Sequence, residues 1–168
     1  MNTEKKIIGG ILIMTVVILA GSVFFLTKDE KLNVSEDQIV TRNGLHWHPK
    51  LKININGQEQ GLEDGIGLGA VHQKLHTHTE DYQQGVVHME MQGLVIKDDT
   101  KLGKFFQVWG KKFNSSMIFD KISGPEGNVK MFVNGKENND FENYLMKDGD
   151  NIEIKYEQAT SSAEMNNI

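Results

Sequence analysis

Between Ile7 and Leu26 the chain runs IIGGILIMTVVILAGSVFFL, 20 residues without a charge. At about 1.5 Å of rise per residue such a run, wound as a helix, spans roughly the 30 Å of a bilayer's hydrocarbon core. A buried core helix would show some polar face, and this run shows none. A cleavable signal peptide has a shorter apolar core. Here the only candidate cleavage site, Ala20-Gly21-Ser22, is followed by Val23-Phe24-Phe25-Leu26. The reading is an uncleaved, single N-terminal transmembrane helix over 7–26. Lys5 and Lys6 precede it, so residues 1–6 are expected in the cytoplasm and the C-terminal remainder outside, as a single-pass cell-membrane protein. Lys28 and Lys31 on the far side pull against that orientation.

Residues 27–40, TKDEKLNVSEDQIV, are charged and aperiodic and read as a linker. Residues 158–168, QATSSAEMNNI, read as a disordered tail, which leaves 41–157 as one extracytoplasmic domain. A net charge of −5 with no basic run excludes nucleic acid as a partner, because phosphate binding draws on clustered Lys and Arg. With no cysteine there is no disulfide framework, thiolate zinc site, iron–sulfur cluster or cysteine nucleophile. No phosphate loop, dinucleotide fingerprint or Ser-His-Asp signature is present.

The domain reads as α+β, a mostly antiparallel sheet with Asn-Gly hairpins and one short packed helix. Leu51–Ile55 alternates apolar and polar and is followed by Asn56-Gly57; Val129–Val133 is followed by Asn134-Gly135. Alternation ended by Asn-Gly is the strongest short-range hairpin signal. The two segments align as LKININGQEQ and VKMFVNGKEN, a similarity read as a common solution rather than a duplication. Strands are also expected at Val86–Met91 and Asn151–Tyr156. Leu102, Phe105, Phe106 and Trp109 stand at helical spacing, predicting a helix over about 100–109 that packs by this stripe and ends at Gly110.

All six histidines lie between His46 and His88. His46 and His48, and His76 and His78, are i, i+2 pairs, which in a strand share one face. His88 and Glu90 do the same, with Val87, Met89 and Met91 facing the core. Two such faces meeting supply three or four imidazoles and a carboxylate, the inventory of a metal site that keeps a position open. The candidate ligands are His46, His48, His76, His78, His88 and Glu90. The cofactor expected is a copper or zinc ion, with iron also compatible. His72 stands four before His76, a helical spacing, and is set aside. Asp64, Glu80 and Asp81 read as solvated loop carboxylates rather than partners that orient an imidazole.

The runs LHWHP (45–49), LHTH (75–78), GVVHME (85–90), LGKFFQVWG (102–110), VNGK (133–136) and DGDNIEIKY (148–156) resemble a group of uncharacterised membrane-anchored proteins of bacteria and archaea over about residues 44–156. That group commonly carries His-Thr-His-Asp, then Gly and Ile-His-Ile-Glu. His76, His78, His88 and Glu90 fall on its pattern, and the loop Glu80–Gln84 departs from it. The resemblance implies a shared site and no particular activity.

The expectation is therefore a membrane-anchored extracytoplasmic metal-binding protein for capture, sensing or delivery, with the membrane and an ion as its partners and no protein partner indicated. One alternative is a cupin-like metalloenzyme with an open coordination position. Glu80 stands only two residues after His78, which departs from a cupin motif. The other is an extracytoplasmic interaction domain that binds no metal.

Overall fold

Two Asn-Gly turns organise the larger sheet of this protein, seen here in a computed structural model that describes residues 34–159 together with Met14 and Thr15. Both turns have positive φ at both residues, 52° and 81° at Asn56-Gly57 and 52° and 78° at Asn134-Gly135. That is the type I′ geometry whose twist matches the flanking strands, and Asn and Gly are the residues that tolerate it.

The chain divides into two units, Met1–Val34 and Ser35–Ile168. Met14 and Thr15 are helical and exposed. The rest of the expected transmembrane segment 7–26 lies outside the described residues. Among the described residues no helix is long and apolar enough to cross a membrane.

The second unit contains β1 (Ile39–Thr41), β2 (Leu45–Trp47), β3 (Lys50–Ile55), β4 (Gln58–Gln60), β5 (Leu75–His76), β6 (His88–Met91), β7 (Val95–Ile96), α1 (Leu102–Trp109), β8 (Phe113–Asn114), β9 (Met117–Ile118), β10 (Lys121–Ile122), β11 (Gly127–Val133), β12 (Lys136–Glu137) and β13 (Asn151–Gln158). A five-stranded sheet runs in the order β12-β11-β13-β3-β4. Its hairpins β3–β4 and β11–β12 lie on either side of β13, which pairs antiparallel with β11 and parallel with β3. Among the described residues every other strand pairing is antiparallel, so the fold is α+β as expected.

Alternation holds along these strands. Leu51 and Ile53, Val129 and Met131, and Ile152, Ile154 and Tyr156 are buried, and the residues between them are not. Leu102, Phe105 and Phe106 of α1 join them in one apolar cluster, each large side chain contributing about 1.5–3 kcal/mol by leaving water. Gly110 ends α1 in the left-handed conformation with Lys111 N–H donating to the Phe106 carbonyl at 3.0 Å. A 3-10 turn, Lys97–Thr100, precedes the helix, and the Asp99 carboxylate accepts from Ile96 N–H at 3.0 Å.

Several boundaries differ from the sequence reading: the strand expected at Val86–Met91 begins at His88, and the helix expected from about residue 100 begins at Leu102, after the 3-10 turn. Ile39 and Val40, assigned to the linker, belong to β1, which pairs with β7 because its apolar residues have Val95 and Ile96 to pack beside. Gln158, assigned to the tail, extends β13 opposite Gly127.

Candidate metal centre

The histidines are mounted on a separate three-stranded sheet, in the order β2-β6-β5. Met89 and Met91 of β6 are buried and, with Leu75 of β5, join the main apolar cluster. The opposite face therefore carries His88 and Glu90. Register completes the grid: His46 of β2 stands opposite Glu90, and His76 of β5 opposite His88. One anchored face thus gathers four candidate ligands from three strands spread over residues 46–90.

His48 follows directly after β2, and His78 stands two residues after the end of β5. Asp148 holds His48 by accepting from its backbone N–H at 2.8 Å. Thr77 holds the other arm. Its buried hydroxyl donates to the Glu63 carbonyl at 2.8 Å and accepts from Ile66 N–H at 3.0 Å. Gly67, with φ of 76°, lies so close that a Cβ there would come within 2.6 Å of the Leu75 carbonyl oxygen and 3.1 Å of His76 Cβ.

The rings form one continuous cluster. The Nε2 atoms of His46 and His48 are 3.1 Å apart, those of His76 and His78 3.0 Å, and those of His72 and His76 3.3 Å. The His88 ring lies between the arms, with centroids 4.4 Å from His78 and 4.8 Å from His48. Glu90 Oε1 lies 3.1 Å from His46 Nε2 and 3.9 Å from His76 Nε2. Ligand atoms of His76, His78, His88 and Glu90 all fall within 4.8 Å of one another, as do those of His46, His48 and His88. A tetrahedral ion with 2.0–2.1 Å bonds sets neighbouring nitrogens about 3.3 Å apart, close to the spacing seen here.

Hydrogen bonding fixes which nitrogens are free. His76 Nδ1–H donates to the Gln73 carbonyl at 3.0 Å, so in the neutral ring the lone pair is on Nε2. That lone pair faces both His72 and His78 and can accept only one proton. His88 Nε2–H donates to the Asp81 carboxylate at 2.9 and 3.1 Å, which leaves the lone pair on Nδ1, buried and without a partner. An orphaned lone pair and crowded imidazole nitrogens are a cost without a cation and ligands with one. Burial, with His72 and His78 adding to it, pushes the His76 pKa below the usual histidine value, so the ring is neutral at pH 7 and can donate its lone pair.

Two residues that the sequence reading passed over stand at this site. His72 was set aside for its helical spacing from His76. The segment is instead a tight loop closed by Gln73 N–H to the Gly67 carbonyl and by the bridge between Leu68 and His72, which swings His72 onto His76. The glycines at 65, 67 and 69 were the available signal. Asp81, read as a solvated carboxylate, is the hydrogen-bond acceptor of His88. The 3-10 turn Tyr82–Gln84 brings it back. Asp64 accepts from the Thr79 hydroxyl at 3.0 Å. The cluster opens on a depression of about 330 Å³ lined by Leu45, His46, His72, Gln73, Lys74 and Glu90, among other residues.

No protein family, curated protein or solved structure matches this chain.

Proposed function

We propose that this protein binds a copper or zinc ion through the histidine cluster and serves in metal capture, sensing or delivery at the outer face of a membrane. The observation that carries the reading is the convergence of five imidazoles and Glu90 around one sheet face, with a sixth, His72, against His76, and with the tautomers of His76 and His88 set so that lone pairs are left over. His76, His78, His88 and Glu90 are the ligands favoured for one ion. Neutral imidazole with a single carboxylate suits copper(II), zinc or ferrous iron, and copper(II) binds such donors most tightly. The buried Met89 and Met91 are on the other face, which favours nitrogen and oxygen coordination over thioether. The uncharged segment 7–26 supports an anchored, single-pass placement with the histidine domain outside.

The test is metal content and competition affinity of the full, untagged chain beside a His78→Ala, His88→Ala variant. The expected result is near-stoichiometric metal in the parent and its loss in the variant. No metal above background in the parent overturns the reading and leaves an interaction domain.

A further inference from the structure

One tetrahedral ion uses four donors, and this cluster presents five imidazoles and a carboxylate, with His72 beside them. Two nitrogens on one ion, each bonded at 2.0–2.1 Å, are at most about 4.2 Å apart. The donors do not gather into one set of that size. At a span of 4.8 Å, which a small side-chain adjustment brings to bonding distance, they form two, His76, His78, His88 and Glu90 on one side and His46, His48 and His88 on the other, which overlap only at His88. Strand order explains the division. His46 and His76 come from the outer strands β2 and β5, so each approaches β6 from its own edge. Glu90 Oε1 lies between them, 3.1 Å from His46 Nε2 and 3.9 Å from His76 Nε2. A single carboxylate oxygen thus faces both edges, as a bridging carboxylate does.

We infer that the cluster holds two divalent transition-metal ions side by side, an outer one on His46 and His48 and an inner one on His76 and His78, with Glu90 between them and the single free nitrogen of His88, Nδ1, completing one of the two. The inference rests on the metal-binding reading and adds a second ion to it. The two positions differ in access. The His46 and His48 side chains are 61% and 43% exposed, whereas that of His76 is fully buried. The outer ion is therefore the more open to exchange with solvent, and the inner one is held on a buried imidazole. His72 stands beside His76 as a further nitrogen for the inner position. Glu90 and Asp81 place negative charge against the two cations, which would otherwise repel at short range.

The experiment loads the full untagged chain with zinc(II) or copper(II), removes excess by gel filtration and counts ions per chain. The parent is expected to hold two. His46→Ala with His48→Ala, both exposed positions, is expected to hold one, with the urea midpoint of the metal-free chain unchanged, and His78→Ala to hold one. In the copper(II) form, spin coupling is expected to bring the parent's electron paramagnetic resonance intensity below that of two isolated ions. The outer-site double variant should return the full intensity of one. One ion in the parent overturns the second site and leaves the metal-binding reading standing. None overturns both. Two ions retained by the outer-site double variant overturns the assignment to His46 and His48.

Discussion

Replacing Thr77 by Val removes one oxygen and nothing else of size, from the segment that joins His76 to His78. The residue is fully buried, so no water replaces the lost partner. Two backbone groups are stranded, the Ile66 N–H at 3.0 Å and the Glu63 carbonyl at 2.8 Å. An unsatisfied buried group costs about 1–3 kcal/mol, and the carbonyl loses less than the N–H because it keeps a second lone pair, so the expected total is about 2–4 kcal/mol. Thr77→Ser is the matched control. It keeps both hydrogen bonds and loses one buried methyl, worth about 1 kcal/mol. At roughly 4 °C per kcal/mol for a domain of this size, Val lowers Tm by about 8–16 °C and Ser by about 4 °C. Thermal and urea unfolding followed by tryptophan fluorescence, with metal titration of both variants, measure this. The valine variant is also expected to bind metal more weakly with every histidine in place, because the His76–His78 arm keeps only the backbone bond from the residue 77 N–H to the Ile66 carbonyl as its tie to the 63–66 loop. A valine variant as stable as the serine variant would refute the reasoning.

Asp81→Asn keeps the shape beside His88 and removes the charge that orients its ring; metal affinity is expected to fall about 10–100-fold with the urea midpoint little changed, checked by competition titration. Gly67→Ala forces a left-handed φ on a residue with a Cβ and presses it on the Leu75 carbonyl, so a loss of about 2–4 kcal/mol in urea unfolding is expected. Tyr144 donates to Asp150 at 2.7 Å, and burial, with that hydrogen bond and the Asp150 charge adding to it, raises its pKa above the ordinary tyrosine value. Its contribution is thus fully present below about pH 10, the unfolded value, and is lost as pH rises towards the folded one. The parent is expected to exceed Tyr144→Phe by about 1.5–3 kcal/mol at pH 8, with the gap narrowing above pH 10 in urea unfolding at each pH.

The parts of this fold that depend on neighbours in sequence were legible. Alternation in VVHMEM correctly separated Met89 and Met91 from His88 and Glu90, because a strand has only two faces. Asn-Gly marked both hairpins through its tolerance of positive φ, and the stripe Leu102, Phe105, Phe106 marked the buried side of α1. What depends on distant pairing was not legible. Nothing local states that β2 and β5 flank β6, or that β3 runs parallel to β13. β5 has two residues, too few to show a period. His72 was misjudged for a related reason. Spacing of four suggests a helix only where the backbone is helical, and the glycine loop 65–73 is held by hydrogen bonds that cross it.

The order of synthesis gives the position of β13 a consequence. The strand at the centre of the larger sheet leaves the ribosome last of the thirteen described strands, and both hairpins beside it must wait for it. The β2-β6-β5 sheet, complete by Met91, has its strands available some 60 residues earlier, yet the core that backs Met89 is unfinished until Ile152 and Ile154 arrive. A chain stopped before Asn151 therefore lacks the middle of its sheet rather than an edge. During translation the histidine face exists as sequence well before it has a rigid wall behind it.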